Sequence, residues 1–306
     1  MPDTAPSPLL PRPVRRALVA AVAVGLLWVG IGQPHRARAP YRAAQVTVGG
    51  IGTRLLRAGR GDTTLLFLHG YGESLLSWRL VLDRFPRHYR VVAVDLPGFG
   101  LADKPDTTYD VAFYRGWLSQ VLATETTGPV VVVGHSMGGQ LAAQLALDHP
   151  ERVVAAVLLD PAGLGINALL TDTSGLASPA TAWVATAIAF VLPVHDTAWL
   201  AEPGARVAYS PANDTLATQA ARRVLSAFDF GALGDQLGRL RQPVLLLWGR
   251  HDPTIPLALG DSMARALPCR RYVVLPTLHR PQQTLPDTVA AEMLAFLAAP
   301  GCDSLP

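Results

Sequence analysis

A single serine between glycines marks the point where a predicted strand is followed by a predicted helix. Residues 134–138 read GHSMG, directly after the four valines 130–133. Such a valine run is typical of a buried parallel strand, and the alanine-rich QLAAQLALD that follows is typical of a helix. Side chains two residues before and two after Ser136 would collide in so sharp a turn, which explains Gly134 and Gly138. The pattern predicts a nucleophile elbow that presents a serine hydroxyl for covalent catalysis.

A serine hydroxyl is a weak nucleophile, so it needs a base, and the base needs an orienting acid. His279 follows the last strand-like run, YVVLP, and we assign it as the base. Two acids end the preceding runs, Asp252 in WGRHDPTIP and Asp160 in LLDPAG. We favour Asp252, because the prolines that follow it stiffen its loop, and Asp160 stays open as the alternative acid. The chain order Ser136, Asp252, His279 agrees with this architecture.

Two backbone N–H groups are candidates for an oxyanion hole, the donors that bind the negative oxygen of an acyl-transfer intermediate. The N–H of Met137 follows the predicted nucleophile directly. The loop HGYGES follows the first central strand run, and its glycines let the chain turn so that the N–H of Tyr71 faces Ser136. Chemistry of this kind requires neither a metal ion nor an organic cofactor.

Alternating apolar runs and helical stretches predict the scaffold that positions these residues. QVTVGG and GTRLLRAG predict a hairpin around Gly49 and Gly50. Six apolar runs follow, at residues 65–70, 91–98, 130–136, 153–163, 244–252 and 272–276. The alternation predicts an α/β fold with a mostly parallel, doubly wound sheet of about eight strands. In such sheets, ligands bind beyond the carboxyl ends of the strands, where the candidate residues fall.

A long segment without strand-like runs interrupts this alternation. Residues 164–240 contain several helical pieces, including TAWVATAIAFVL and LATQAARRVLSAF. We therefore predict an inserted helical cap between a first part of the core, residues 43–163, and a second part, residues 241–299. The apolar side chains of the cap either pack it on the core or supply an apolar substrate pocket.

The N-terminal segment has the composition of a membrane anchor or a signal segment. Residues 1–16 are a basic tail, and residues 17–33 are the anchor or signal segment, whose apolar run 17–32 is roughly 24 Å long as a helix. We favour a transmembrane anchor over a cleaved signal, because Pro40 follows the small-residue site Ala37-Arg38-Ala39. Both interpretations place the body outside the cytoplasm, either anchored to the membrane or secreted after cleavage.

Charge composition argues against a nucleic-acid partner. The 306 residues include 26 basic and 23 acidic side chains. Six arginines and one acid lie in residues 1–42, which leaves 20 basic and 22 acidic residues in the rest of the chain. The body is therefore slightly acidic and has no basic stripe. The two cysteines, Cys269 and Cys302, lack metal-ligand spacing, and the sequence leaves open both their pairing and the oligomeric state.

Five motifs together carry a resemblance to a known family: HGYGES with Trp78 downstream, DLPGFGLADKP, GHSMGG, WGRHDPTIP and LHRPQQTLP. Over roughly residues 45–298 the chain resembles the α/β-hydrolase superfamily in its capped branch. That branch includes esterases, C–C bond hydrolases, perhydrolase-like enzymes and epoxide hydrolases. Ser136 argues against the epoxide hydrolases and haloalkane dehalogenases, which use an aspartate nucleophile. Leu278 and Thr284 depart from the family pattern, which usually has glycine and often glutamate there.

These features predict a serine hydrolase that cleaves an ester or related acyl bond of a small hydrophobic substrate through an acyl-enzyme. Acyl transfer to another acceptor, perhydrolysis and C–C bond hydrolysis are alternatives on the same triad. An alternative of another class is a non-catalytic ligand-binding receptor, because a fold does not determine function. The complete set of serine, acid, histidine and oxyanion donors favours the enzyme.

Overall fold

One eight-stranded sheet forms the centre of the fold. The computed structural model describes residues 42–82, 84–85, 88–166 and 215–302. The strands follow in the order β1-β2-β4-β3-β5-β6-β7-β8 across the sheet. Their bounds are β1 Arg42–Val48, β2 Ile51–Ala58, β3 Thr64–Leu68, β4 Arg90–Val94, β5 Val130–His135, β6 Val153–Leu159, β7 Val244–Gly249 and β8 Arg270–Leu275. The predicted α/β fold and the predicted number of strands are confirmed.

The sheet is antiparallel at one edge and parallel elsewhere. β1 and β2 form the predicted hairpin, with Gly49 and Gly50 in its turn, and β2 pairs antiparallel with β4. All the remaining neighbours pair in parallel. The six apolar runs of the sequence thus form β3 to β8, the parallel part of the sheet.

Side chains of the central strands alternate between two hydrophobic clusters, one on each face of the sheet. Leu66 and Val132 belong to one cluster, whereas Leu65 and Val131 belong to the other. Every residue of β5 is buried. A strand that is covered by helices on both faces has no solvent-facing positions, which explains the unbroken valine run.

Helices cover the sheet and connect its parallel strands. The α-helices of the described residues are α1 Arg79–Leu82, α2 Val111–Glu125, α3 Met137–Asp148, α4 Thr215–Ala227, α5 Leu257–Ala266, α6 Pro281–Thr284 and α7 Pro286–Ala298. Two 3-10 helices span Leu75–Trp78 and Gly234–Arg239. The sequence contains recognisable start signals for some of them. Asp110 precedes α2, for example, and its carboxylate accepts the N–H of Phe113 at 2.7 Å, which satisfies one of the free donors of the first turn.

The carboxyl ends of five neighbouring parallel strands hold the predicted site residues. Tyr71 follows β3, Ser136 follows β5, Asp160 follows β6, Asp252 follows β7 and His279 follows β8. These strands lie side by side in the order β3-β5-β6-β7-β8. Residues that are more than 200 positions apart in the sequence therefore meet at one edge of the sheet.

Much of the predicted cap lies outside the described residues, namely residues 167–214 of the predicted 164–240. Within the described part, α4 buries one face, whose small side chains recur at helical spacing: Ala217, Ala220, Ala221 and Val224. This face packs into the same cluster as Leu66 and lies on the core. The predicted domain boundaries remain predictions.

The predicted membrane anchor, residues 17–33, also lies outside the described residues. Among the residues that the structure does describe, no helix combines the length and the apolar character needed to cross a bilayer.

A disulfide joins the last strand to the C-terminal end of the described chain. Cys269 precedes β8 and Cys302 follows α7, and their Cα atoms are 4.8 Å apart. This separation lies within the range of ordinary disulfides. The sequence left the pairing open, because only the folded chain shows that the two ends of this segment meet. The bond closes α6 and α7 into a loop against the sheet.

Candidate active site

Ser136 occupies a strained turn between β5 and α3. Its backbone has φ 54° and ψ −121°, a conformation that non-glycine residues rarely adopt. A Cβ at Gly134 would lie 2.2 Å from the carbonyl oxygen of Gly138, and a Cβ at Gly138 would lie 2.4 Å from the carbonyl oxygen of His69. Only glycine fits at either position. The close packing holds the turn and places the Ser136 side chain above the sheet.

A chain of hydrogen bonds runs from the serine to a buried carboxylate. The Ser136 hydroxyl lies 3.0 Å from Nε2 of His279, and Nδ1 of His279 lies 2.7 Å from Oδ2 of Asp252. With Nδ1 donating to the carboxylate, Nε2 presents a lone pair to the hydroxyl proton. The arrangement can move a proton from serine to imidazole while the carboxylate stabilises the resulting charge.

Asp252 is held by its own loop as well as by the histidine. Its Oδ1 accepts the backbone N–H groups of Thr254 at 2.7 Å and Ile255 at 3.0 Å. Burial raises the pKa of Asp252, but the hydrogen bond from His279 and those from these two N–H groups outweigh it and lower the pKa below its usual value. The carboxylate is therefore ionised and fixed in orientation.

Asp160, the alternative acid, lies nearby without taking the same role. It is fully buried, its φ is +41°, and its Oδ1 accepts the N–H of Gly249 at 2.7 Å. Burial and the charge of Asp252 raise the pKa of Asp160 well above its usual value. A carboxylate beside another ionised carboxylate holds its proton. Of the two candidate acids, Asp252 is the one that is hydrogen-bonded to His279.

The imidazole of His279 lies in an environment that keeps it neutral. Burial and the neighbouring His135 lower the pKa of His279, against the raising effect of Asp252 and Glu73. A neutral imidazole is the form that can accept a proton. The environment suits a base that operates near neutral pH.

The predicted oxyanion donors flank the serine on two sides. A Cβ at Gly70 would lie 3.2 Å from Cβ of Ser136, so the loop that carries Tyr71 packs directly on the elbow. Among the described residues, the backbone N–H groups of Tyr71 and Met137 have no hydrogen-bond acceptor. Met137 is also the first residue of α3, whose N-terminal dipole favours negative charge. Both donors are free to bind an oxyanion.

The side chain of Tyr71 contacts α4, a helix within the predicted cap. Its hydroxyl donates to the carbonyl oxygen of Ala221 in α4 at 3.1 Å, and its ring packs on Phe99 with centroids 5.4 Å apart. The loop that carries the predicted oxyanion donor is thus hydrogen-bonded to α4.

A second charged cluster adjoins the triad, and sequence reasoning did not find it. His135 lies between Glu73 and the backbone of His279, and Arg280 pairs with Glu73 at 3.0 Å. Each of these residues stands within four positions of a predicted site residue, but their proximity depends on how the loops after β3 and β8 pack against the end of β5. The motifs HGYGES, GHSMGG and LHRPQQTLP contain them, yet nothing in the spacing shows that they meet.

One group of side chains has atoms close enough to be tested as a metal site. Atoms of His135, Asp160 and His279 lie within 4.8 Å of one another. Both ring nitrogens of His279 and both of His135 already face hydrogen-bond partners. Because no ring nitrogen of this group is spare, we assign no metal to it.

Comparisons with known proteins identify the family of the chain. A family model described as the alpha/beta hydrolase family matches residues 65–292. The chain belongs to this family.

Individual relatives match at different lengths. Over 129 residues the chain is 41% identical to a dihydrolipoyllysine-residue acetyltransferase component of an acetoin cleaving system from Cupriavidus necator. This match covers 42% of this chain and 34% of that protein. The chain thus spans about a third of that relative's length. The chain is also 30% identical over 240 residues to a pimeloyl-[acyl-carrier protein] methyl ester esterase from Nitrosomonas europaea. This match covers 73% of this chain and 91% of that protein.

Solved structures match over most of the chain. A membrane phospholipase A, described as a bacterial virulence factor, superimposes with a TM-score of 0.70 at 25% sequence identity. The superposition covers 93% of this chain and 97% of the other.

Proposed function

We propose that this protein is a serine hydrolase that cleaves carboxylic esters of hydrophobic substrates through an acyl-enzyme. One observation carries the proposal, the hydrogen-bond chain from Ser136 through His279 to Asp252, with distances of 3.0 and 2.7 Å. These are the distances that proton transfer from a nucleophile to its base requires.

In the proposed mechanism, Ser136 Oγ attacks the ester carbonyl carbon while its proton passes to Nε2 of His279. Asp252 stabilises the imidazolium, and the N–H groups of Tyr71 and Met137 bind the oxyanion. Each well-placed donor contributes about 3 kcal/mol of transition-state stabilisation. The C–O bond of the ester breaks as His279 gives its proton to the leaving alkoxide. A water molecule, activated by the same imidazole, then cleaves the acyl-enzyme to acid and free serine.

An exposed apolar side chain beside the proposed base supports a hydrophobic substrate. Leu278, directly before the proposed base, is 57% exposed, although large apolar side chains are mostly buried. The predicted cap contributes further apolar residues by sequence. Two of the similar proteins are named a methyl ester esterase and a membrane phospholipase A. We therefore propose esters with long acyl or alkyl groups rather than short, polar ones.

A series of p-nitrophenyl esters from acetyl to palmitoyl, measured with the full chain in detergent, tests this function. We expect hydrolysis with a preference for medium or long acyl chains, and a loss of about 1,000-fold or more in Ser136→Ala. Hydrolysis that survives in Ser136→Ala, or no hydrolysis of any ester, would contradict the proposal. Binding without turnover would indicate a receptor instead.

Acyl transfer remains the alternative that shares every step up to the acyl-enzyme. A partial relative is named an acetyltransferase component, but the match covers 34% of that protein. Product analysis with added alcohol or peroxide separates the two reactions. A predominance of free acid supports hydrolysis, and a predominance of new ester or peracid supports transfer. C–C bond hydrolysis by the same triad is a further alternative.

We further propose that the catalytic body lies outside the cytoplasm, attached through the apolar segment 17–33 or released from it. The disulfide between Cys269 and Cys302 supports this location, because such bonds persist in oxidising compartments. Cell fractionation, with protease accessibility of the body in intact spheroplasts, tests the proposal. Protection of the body from protease would contradict it.

A further inference from the structure

We propose that Glu73 and His135 form a buried ion pair that connects the end of β5 to the loops after β3 and β8 and keeps a second, cationic imidazole beside the base. Both would be positioning residues. The inference rests on the proposed function for its kinetic consequence, but the ion pair itself is a statement about protonation and stands on contacts alone.

The contacts of His135 require a proton on both ring nitrogens. Nε2 lies 2.6 Å from the backbone carbonyl oxygen of His279, which can only accept, so Nε2 must donate. Nδ1 lies 3.2 Å from Oε2 of Glu73. An ionised carboxylate also only accepts, so Nδ1 must donate as well. An imidazole that donates from both nitrogens is an imidazolium.

Glu73 is ionised in this environment. Both of its oxygens face donors other than His135, namely the guanidinium of Arg280 and the backbone N–H of Gly70, and these donors favour the ionised form. Arg280 Nε lies 3.0 Å from Oε1 of Glu73. The side chains of Glu73 and His135 are 6% and 1% exposed, so solvent screens the pair little.

The ion pair connects the three segments from which the proposed site is built, namely the loop after β3, the end of β5 and the loop after β8. Glu73 belongs to the oxyanion loop, and its Oε2 also accepts the N–H of Gly70 at 3.2 Å. His135 directly precedes the nucleophile, and its ring holds the backbone of His279. A Cβ at Gly70 would lie 2.9 Å from Nδ1 of His135, so the oxyanion loop approaches the imidazole as closely as a glycine allows. A displacement of any one loop therefore breaks a contact to another.

The cation also acts on the base through space. The ring centroids of His135 and His279 are 4.8 Å apart. A positive charge at this distance disfavours a second imidazolium, which keeps His279 in the proton-accepting form. The negative groups that face His279 are Asp252 and Glu73, and both oppose this effect. Asp160, whose pKa is raised by burial, is neutral and adds no negative charge. Glu73 is itself neutralised in part by Arg280 on the same loop as His279.

The protonation state of His135 can be measured without catalysis. Long-range ¹H–¹⁵N spectra of the full chain at pH 7, assigned by comparison with His135→Asn, report both ring nitrogens. We expect two protonated nitrogens for His135 in the wild type and a neutral ring in Glu73→Gln. A neutral ring in the wild type would overturn the proposal, whether or not the protein hydrolyses esters.

The pH profile of kcat/KM tests the consequence for the base. In His135→Asn the positive charge is absent, so the pKa of His279 rises and the acidic limb moves to higher pH, by about one unit for a unit charge at this separation. We expect Glu73→Gln to lower kcat about tenfold with little change in KM, because loop geometry rather than substrate contact is lost.

Glu292→Gln is the matched control, since Glu292 pairs with Arg271 at 2.7 Å away from the site. Its kcat and acidic limb should equal those of the wild type. An acidic limb that does not shift in a folded His135→Asn variant, or a wild-type kcat in Glu73→Gln, overturns the inference. Ester hydrolysis by the wild type upholds the proposed function in either case. A wild type that hydrolyses nothing defeats the proposed function, and the nitrogen spectra then decide the ion pair alone.

Discussion

At the scale of single residues, the backbone conformation of Ser136 determines which hydrogen bond its hydroxyl makes. Ser136 stands at the N-cap of α3, where serine usually bonds a backbone N–H of the first turn. Its positive φ removes that option, and the side chain makes no capping hydrogen bond. The hydroxyl bonds to His279 instead. The helix loses part of its capping energy, and the proposed nucleophile gains a fixed orientation.

The two candidate acids predict different outcomes of the same substitution. Asp252→Asn removes the charge that orients His279, so we expect kcat to fall about 1,000- to 10,000-fold. Asp160→Asn replaces a carboxyl group that already holds its proton, and we expect kcat within about threefold of the wild type. Steady-state kinetics of the two variants decide between the acids. The reverse order of effects would identify Asp160 as the orienting acid.

The environment of His279 predicts the acidic limb of the pH profile. The base must be neutral to accept the serine proton, and burial lowers its pKa from the usual 6.5. A lowered pKa means that the neutral form persists to lower pH, so activity should fall only below pH 6.5. The pH dependence of kcat/KM measures this limb directly. A midpoint above 6.5 would show that the negative charge of Asp252 dominates the environment.

At the scale of elements, close approach of backbone segments determines which residues are allowed in the elbow. The first turn of α3 packs against the end of β3, where the carbonyl oxygens of Leu68 and His69 would each lie 2.4 Å from a Cβ at position 138. Backbone cannot yield as a flexible side chain does. The distance between the strand and the helix therefore depends on glycine.

Gly138→Ala should consequently separate α3 from β3 and disturb the proposed nucleophile. We expect a loss of about 1–3 kcal/mol in the free energy of unfolding, together with a large fall in activity. Chemical denaturation measures the first and ester hydrolysis the second. Gly238→Ala is the matched control, because a Cβ there meets no atom within 4 Å. Equal stability of the two variants would contradict the packing argument.

Element order was predictable because each signal is local. Valine runs, alternating helices and the glycine hairpin are properties of short segments, and the structure confirms the sheet that they predicted. The types of the proposed triad residues were predictable too, because the chemistry requires serine, acid and histidine at strand ends. The Glu73–His135 pair was not, since its contacts join the end of β5 to the loops after β3 and β8.

At the scale of the whole molecule, the disulfide connects the C-terminal helices to the edge of the sheet. Cys269 and Cys302 are separated by 33 positions, which enclose β8, α6 and α7. The segment includes His279, so the bond restrains the same part of the chain that carries the proposed base. Spacing alone could not predict the bond, because cysteine geometry depends on the completed fold.

Removal of this bond should lower stability without altering the chemistry. A bridge that closes a loop of this length contributes about 4 kcal/mol in the chain-entropy model. We expect the variant Cys269→Ser/Cys302→Ser to lose roughly that amount in denaturant unfolding, while kcat at 25 °C stays near the wild-type value. Reduction of the wild type should reproduce the loss. An unchanged unfolding midpoint would show that the bond is not formed in the native protein.

The measurement that tests the central claim most directly is covalent labelling of the full chain with a fluorophosphonate, followed by peptide mass spectrometry. The account predicts one adduct, on Ser136, whose rate of formation falls sharply in His279→Ala and which is absent in Ser136→Ala. Intact wild-type protein that forms no adduct, or that carries the adduct on another residue, would contradict it.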